Sequence, residues 1–254
     1  MRVVRAGRAL VLQGAACVAL LALHSPLSLA IGNHRDHPFA HSTAIRTLSV
    51  PGYTSRWAFV IRSVQVRHAP STHSRALGKL SLTTADGTTE VLSLIAERRV
   101  GRRWWVDVRT SLRPSGTTGW IPRTALAAFH RIDTWLIVDK HSLKVTLIRD
   151  GKVIFRAPVG IGKPSTPTPD GTFYIRDRLS GFASGSLYGP LAFGTSARSP
   201  VLTEWPGGAV VGVHGTNEPG LIPGRISHGC IRLRNADILR LGKLLQIGTP
   251  VTIH

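Results

Sequence analysis

Short apolar runs separated by turn-forming residues extend over most of the chain, and they constrain its fold more than any other feature. Between Trp57 and Phe129, runs such as Val64-Gln65-Val66 and Trp104 to Val108 alternate with turn signals such as Asp86-Gly87. Short strands with this punctuation are typical of a small β-barrel. A second series of strand-like runs begins near Ile132. The pattern therefore predicts a mainly β chain.

The second series carries signals for particular strands. Asp150-Gly151 lies between two strand-like runs, so we expect a tight hairpin there. Asp170-Gly171 opens another strand-like run. The valine-rich run from Ala209 to Val213 should form a strand that ends at His214, which would mount this histidine on a rigid element.

After residue 234 the pattern changes to that of a helix. Asn235 suits the N-cap position, and Asp237 suits the first turn. The apolar face consists of Ile238, Leu241, Leu244 and Leu245. We expect Gly248 and Pro250 to end the helix, and residues 251–253 to return as a last strand.

The first 30 residues have the composition of a signal peptide. Three arginines precede a largely apolar run at residues 9–23, and small residues occupy positions 28 and 30. The apolar run is shorter than the roughly 20 residues of a spanning helix, which disfavours the alternative of an uncleaved anchor. We expect cleavage after Ala30, a linker at residues 31–55, and a secreted, extracytoplasmic protein without a stable membrane span.

Positive charge is spread along the chain. The formal net charge is +19, and it falls to +16 when the three arginines of residues 1–30 are removed. This excess predicts attraction to polyanions, which for a secreted protein means anionic cell-wall polymers or lipid and not nucleic acid. Arginine outnumbers lysine by 26 to 6, so coding composition is an alternative source of part of the charge.

The candidate chemistry lies in one loop-rich stretch, Val213 to Asn235. It contains His214 and the sequence Ser227-His228-Gly229-Cys230, with fifteen residues between His214 and Cys230. Cys17 falls within the predicted signal peptide, so the mature chain would hold one cysteine and no disulfide framework. A thiol becomes a nucleophile when an imidazole takes its proton, which a fold-back of this stretch would allow.

These motifs resemble those of the L,D-transpeptidase (YkuD-like) family. The resemblance covers residues 131–254 and rests on His214-Gly215-Thr216-Asn217, on Ser227-His228-Gly229-Cys230-Ile231-Arg232, and on an upstream lead-in from Gly160 to Phe173. It implies a β-sandwich-type catalytic domain that joins peptidoglycan stem peptides during cell-wall biogenesis. Cys230 would attack a tetrapeptide donor to form a thioester, which an amine of a neighbouring stem would resolve.

Each candidate site residue has an expected role. Cys230 and His214 are the catalytic pair, and the Gly215 carbonyl should orient the imidazole ring. The amides of Gly229 and Cys230 are candidate oxyanion donors. The oxyanion and substrate-binding set is Ser227, His228, Gly229, Arg232 and Gly215. Positive charge at His228 and Arg232 should favour a thiolate and bind substrate carboxylates.

Residues 56–130 resemble bacterial SH3-like domains. The similarity rests on V-Q-V-R-H-A-P-S at residues 64–71 and on G-W-I-P at residues 119–122. It implies a small β-barrel that holds the enzyme on the wall, and the alternative is a spacer without a ligand. The complete expectation is an SH3-like barrel followed by a mainly β catalytic domain with one C-terminal helix.

Other functions remain open at this point. A zinc site of His214, His228 and Cys230 lacks an identifiable fourth ligand, so we expect no metal and no cofactor. In papain-like peptidases of the NlpC family the cysteine precedes the histidine, whereas here His214 comes first. An L,D-carboxypeptidase, another wall cysteine hydrolase and a non-catalytic wall-binding protein are the remaining alternatives.

Overall fold

The computed structural model describes residues 44–203 and 209–254, which form two β-sheets and one α-helix. The predicted signal peptide and the first part of the predicted linker lie outside the described residues. The described residues all belong to one compact unit. Within the described ranges, no helix has the length and apolar character that crossing a bilayer requires. The expectation of a mainly β chain with one helix is confirmed.

The first sheet contains eight strands, and its core is formed by apolar side chains such as Val66, Leu92 and Ile121. Seven of its strands follow the order β4-β3-β7-β6-β5-β2-β8, and β1 pairs with β5. The strands are β1 (Arg46–Thr47), β2 (Ser55–Phe59), β3 (Val64–Arg67), β4 (Ala76–Leu80), β5 (Val91–Val100), β6 (Arg103–Arg109), β7 (Thr118–Pro122) and β8 (His130–Ile132).

Part of the predicted linker belongs to this sheet. Arg46 and Thr47 pair with Glu97 and Ala96 of β5, and Leu48 is only 3% exposed in the core. The linker assignment is therefore wrong for these residues. The apolar residues Ile45, Leu48 and Val50 follow no regular alternation, and the partner strand lies about fifty residues further along the chain.

The second sheet contains ten strands in the order β11-β10-β9-β18-β13-β14-β15-β17-β12-β16. The strands are β9 (Thr134–Asp139), β10 (Lys144–Arg149), β11 (Lys152–Pro158), β12 (Gly160–Gly162), β13 (Gly171–Ser180), β14 (Leu191–Arg198), β15 (Val210–His214), β16 (Gly224–Ser227), β17 (Ile231–Arg232) and β18 (Pro250–Ile253). The predicted strands at Gly171, before His214 and at residues 251–253 are confirmed.

The Asp150-Gly151 hairpin is also confirmed. Both residues have positive φ angles, 48° and 74°, and β10 and β11 pair in antiparallel fashion on either side of them. Two consecutive left-handed residues give the turn whose twist matches that of the flanking strands. The short local signal was sufficient here because the turn residues themselves determine the pairing of the strands.

The helix, α1, spans Asn235–Leu241 and is shorter than predicted. Ile238 and Leu241 are buried, but the helix ends at Gly242, whose low helix propensity favours termination. The N-cap prediction for Asn235 is wrong. Its side chain makes no capping hydrogen bond, because its Oδ1 atom accepts one from the Thr216 backbone instead.

The two sheets contact each other through buried polar groups. The Glu90 carboxylate, immediately before β5, forms an ion pair with the Arg176 guanidinium on β13, and the side chains are 3% and 4% exposed. The Tyr174 hydroxyl donates to the Val91 carbonyl at 3.0 Å. The Arg198 Nε atom donates to the Ser111 carbonyl at 2.9 Å. These bonds fix the start of β5 and the segment after β6 against the second sheet.

Candidate active site

Two parallel strands bring His214 and Cys230 together. His214 is the last residue of β15, and Cys230 immediately precedes β17. The strands are hydrogen-bonded neighbours, with Val213 opposite Ile231 and His214 opposite Arg232. This register sets Cys230 opposite Gly212, two residues before His214, so the fifteen-residue fold-back delivers both side chains to the same face of the strand pair.

Gly212 lies against both groups. Its backbone N–H donates to Cys230 Sγ at 3.4 Å. A methyl group added to its α-carbon would lie 3.6 Å from His214 Cδ2 and 3.9 Å from Cys230 Sγ. The imidazole and the thiol thus flank one glycine, whose missing side chain leaves the space beside them open.

A backbone hydrogen bond sets the protonation of the His214 ring. Nδ1 lies 2.6 Å from the Gly215 carbonyl oxygen, and a carbonyl oxygen accepts only, so Nδ1 carries the proton. The orientation expected from the sequence is confirmed. Burial lowers the pKa of His214 from 6.5 to about 4; the Gly215 hydrogen bond opposes this shift and the Arg232 charge adds to it. At neutral pH the ring is uncharged, and Nε2 is free of a proton.

The Cys230 thiol is also uncharged in the resting site. Burial raises its pKa, while the Gly212 N–H and the Arg232 charge lower it by less. The thiolate expected from the sequence is therefore not the resting form. The sequence-based prediction relied on the nearby positive charge. That charge lowers the pKa of Cys230 by less than burial raises it, because burial removes the thiolate from water. A neutral imidazole beside a neutral thiol is the arrangement of a general base and its nucleophile.

Ser227 holds the nucleophile loop in shape. Its Oγ atom donates to the Cys230 carbonyl at 2.6 Å and accepts from the Gly229 backbone N–H at 3.0 Å. Both contacts correct the roles expected from the sequence. The Ser227 hydroxyl is used inside the loop, and the Gly229 N–H is not available to an oxyanion. The Cys230 backbone N–H remains as the candidate donor.

The upstream lead-in packs under this loop. Thr168 Oγ1 donates to the Gly229 carbonyl at 2.8 Å and accepts from the Gly162 N–H at 2.9 Å. Thr166 Oγ1 donates to the Ser227 carbonyl at 3.1 Å. Gly229 itself has a φ of 118°, which side-chain-bearing residues rarely adopt. The two motifs that the sequence separates by some sixty residues form one hydrogen-bonded platform.

Asn235 and Gly215 hold the segment after His214. Asn235 Oδ1 accepts from the Thr216 N–H at 2.9 Å. It lies so close to Gly215 that a methyl group there would come within 2.5 Å of it. Gly215 is thus a positioning residue whose carbonyl orients the imidazole. From the sequence it was expected to contact substrate, and the structure gives it this positioning role.

The pair opens into a cavity of about 450 Å³ with a basic lining. Cys230 and His214 lie in it together with the cationic residues Lys163, Arg225 and Arg232 and with His228. Arg232 Nη1 pairs with Glu218 at 3.0 Å, while its buried Nε has no hydrogen-bond partner among the described residues. The cavity therefore combines a nucleophile with donors suited to an anionic substrate.

Tyr188 is a site residue that the sequence did not reveal. Its ring meets the His214 ring edge-on, with 5.1 Å between the centroids, and it lines the same cavity. It belongs to a stretch rich in Gly, Ser and Ala, from Ser180 to Pro200, in which no motif could be aligned. Tyr188 did not stand out there, because the same segment contains the aromatic residues Phe182 and Phe193.

Comparison with known proteins assigns the second sheet to a family. A model described as the L,D-transpeptidase catalytic domain matches residues 133–253. The YkuD protein of Bacillus subtilis, named as an L,D-transpeptidase, is 29% identical over 163 residues, which cover 64% of this chain and 92% of the relative. The similarly named YqjB protein of the same organism is 30% identical over 129 residues, covering 48% and 71%.

A solved structure adds a further match. The structure of Bd1075 from Bdellovibrio bacteriovorus is 32% identical, covers 48% of this chain and 47% of its own, and superposes with a TM-score of 0.39. The match thus spans about half of that solved chain. On the family match and on the two Bacillus relatives, the chain belongs to the L,D-transpeptidase family of enzymes, with its catalytic domain at residues 133–253.

Proposed function

We propose that this protein is a peptidoglycan L,D-transpeptidase that acts through a thioester on Cys230. One observation carries the proposal: Cys230 Sγ and the uncharged His214 ring flank Gly212 in a cavity with a basic lining. The stem peptides of peptidoglycan end in carboxylates, which guanidinium and ammonium groups bind well. Family membership supports the same reaction.

In the acylation step, Cys230 Sγ attacks the carbonyl of the L-centre in a tetrapeptide donor. His214 Nε2 takes the thiol proton and then gives it to the amine of the departing D-residue. The new bond is the thioester, and the bond that breaks is the L,D peptide bond. The Cys230 N–H is the candidate donor to the oxyanion, a contribution of about 3 kcal/mol per donor in other acyl-transfer sites.

In the second step, an amine of a neighbouring stem attacks the thioester carbonyl. An amide forms, the carbon–sulfur bond breaks, and a proton of the amine passes through His214 to the leaving Cys230 sulfur. When water attacks instead, the product is a trimmed stem, and the protein acts as an L,D-carboxypeptidase. This remains the second candidate function, because the same groups serve both nucleophiles.

The first sheet and the N-terminus complete the proposal. We infer export with cleavage after Ala30, and an SH3-like first domain that holds the enzyme on anionic wall polymers. Residues 56–130 contain 12 basic and 4 acidic residues, a charge that supports such binding. Short antiparallel strands around one apolar core are compatible with a small barrel of this class.

The mass of the intact protein tests the acyl-enzyme. We expect a mass gain with a tetrapeptide donor and with a carbapenem, and no stable gain with a pentapeptide that ends in D-Ala-D-Ala. The Cys230→Ala variant should show no gain with any of them. A gain that persists in Cys230→Ala, or a gain with the pentapeptide alone, would overturn the mechanism.

Mass spectrometry of wall fragments separates the two candidate reactions. Purified fragments incubated with the mature protein should yield crosslinked stems. Trimmed stems alone would identify a carboxypeptidase. Unchanged fragments, together with the absence of an acyl-enzyme, would leave wall binding as the activity of the protein.

A further inference from the structure

A second cavity, of about 220 Å³, also reaches the catalytic pair. It shares Cys230, His214 and Tyr188 with the larger basic cavity. Its lining differs in charge, because it contains Asp86 and Asp177 and, among the described residues, neither lysine nor arginine. The nucleophile is therefore reached from a basic side and from an acidic side.

Asp177 presents an unpaired oxygen in this acidic cavity. The side chain is 2% exposed, and Oδ1 accepts from the Gly194 N–H at 2.8 Å. Oδ2 is buried and has no hydrogen-bond partner among the described residues. The carboxylate packs against the Gly194 α-carbon so closely that any side chain at this position would collide with it. A buried carboxylate oxygen without a donor is costly, and a bound donor would remove the cost.

Asp86 comes from the other sheet. It belongs to the loop between β4 and β5, where its N–H donates to Thr84 Oγ1 at 3.2 Å. The end of this loop is fixed, because Glu90 forms the buried ion pair with Arg176, the residue next to Asp177. Burial raises the pKa of Asp177, the Gly194 N–H opposes this shift, and the negative charge of Asp86 raises the pKa further. The contribution of Asp86 is consistent with two carboxyl groups that face one space.

We propose that Asp86 and Asp177 bind the primary ammonium of the incoming acceptor, so that a residue of the first sheet selects a substrate of the second. The inference rests on the proposed function and names the nucleophile that resolves the thioester. The contrast in charge carries it: the basic cavity suits the donor's carboxylates, and the acidic cavity suits a cation. Both openings end at Cys230.

The step balances with one proton released. The bound ammonium loses one proton to solvent, and the resulting amine attacks the thioester carbonyl. The amide bond forms as the carbon–sulfur bond breaks. The second amine proton passes through His214 to the Cys230 sulfur, which regenerates the neutral thiol. The carboxylates bind and orient the amine, and they form no covalent bond.

The test uses the full mature chain and compares two nucleophiles on the preformed acyl-enzyme. One is a stem peptide with a single side-chain primary ammonium, and the other is hydroxylamine, which is uncharged at neutral pH. The readout is the ratio of the two aminolysis rates. We expect Asp86→Asn to lower this ratio severalfold, up to about fivefold, because an ion pair made by an exposed carboxylate contributes up to about 1 kcal/mol. Asp133→Asn is the matched control, because it removes an exposed carboxylate that pairs with Arg149 and does not line the cavity.

The possible outcomes separate the two proposals. An unchanged ratio in Asp86→Asn, or an equal loss with both nucleophiles, would overturn the acceptor site while leaving the acyl-enzyme intact. Failure of the unmodified protein to form any acyl-enzyme would overturn the proposed function, and the acceptor site with it. Asp86 is exposed on a loop, so its variant should fold even if Asp177→Asn, in a buried position, does not.

Discussion

The Oδ1 atom of Asn235 accepts a hydrogen bond from the backbone N–H of Thr216 at 2.9 Å. This bond joins the first residue of α1 to the segment that follows His214. Gly215 lies between His214 and Thr216, and its carbonyl accepts a hydrogen bond from the Nδ1–H group of His214. The orientation of the general base therefore depends on a side chain that lies nineteen residues after Thr216 in the sequence.

Asn235→Ala should slow acylation more than it weakens donor binding. Loss of the acceptor leaves the Thr216 N–H without its partner, at a cost of about 1 kcal/mol, and releases the segment that orients the imidazole. Asn235→Asp keeps an acceptor oxygen and should restore most of the rate. The measurement is kcat and KM for thioester formation. A variant in which only KM rises would argue against a positioning role.

Cys230 should react slowly with iodoacetamide at neutral pH. Because burial raises the pKa of its thiol, the alkylation rate should climb only above about pH 8.5, the range of an ordinary thiol. Arg232→Gln should shift the profile to still higher pH, since the Arg232 charge lowers this pKa. Arg178→Gln, at an exposed position, is the control. Fast alkylation that persists below pH 7 would restore the thiolate expected from the sequence.

The acylation rate should stay high as the pH falls and should decline only near pH 4. His214 has a folded-state pKa of about 4, against about 6.5 for an unperturbed imidazole, so the base stays neutral through the range between them. The stability associated with the neutral ring is complete above pH 6.5 and is lost as the pH falls toward 4. Single-turnover rates from pH 8 to pH 4, with circular dichroism to monitor folding, measure this. A single-turnover rate that already declines near pH 6.5 would contradict the buried, neutral ring.

Wall binding by the first sheet should weaken as salt rises. The net charge of residues 56–130 acts through solvent, where screening shortens to about 8 Å at physiological ionic strength. Co-sedimentation with purified walls at increasing NaCl measures the effect. Arg102→Gln with Arg103→Gln, at an exposed hairpin, should lower the bound fraction. A bound fraction that does not change with NaCl concentration would indicate a specific pocket. Absence of binding would leave this sheet as a spacer.

Glu90→Gln should destabilise the protein by about 3–5 kcal/mol, because it leaves the buried Arg176 guanidinium without its carboxylate. Asp133→Asn, which removes an exposed ion pair with Arg149, should cost no more than about 1 kcal/mol. Urea denaturation of both variants compares the free energies of unfolding. Equal effects would show that the Glu90 pair adds nothing beyond a surface contact.

The sequence predicted the features that depend on residues close to one another along the chain. The Asp150-Gly151 turn and the strand that ends at His214 follow from local patterns, and the Gly215 carbonyl is adjacent to the ring it orients. It could not predict which partner a polar side chain selects. Asn235 is a good N-cap by type, yet its oxygen bonds to Thr216, and the Ser227 hydroxyl turns inward to its own loop.

The acidic residues were missed for a related reason. Asp86 precedes a glycine, and the turn it forms explains it fully in a linear sequence. Asp177 lies in a strand where a charged residue carries no motif. Only the packing of one sheet on the other places the two at the same cavity.

The ion pair between Glu90 and Arg176 also limits how this gene could be cut and recombined. A break near Ile132 would separate the matched family domain from everything before it. Arg176 would then remain in the retained part without the carboxylate that neutralises it. A foreign leading domain would need an acid at the same place. The first sheet therefore cannot be exchanged for an unrelated domain without loss of this ion pair. We expect the two sheets to need expression and engineering as one unit.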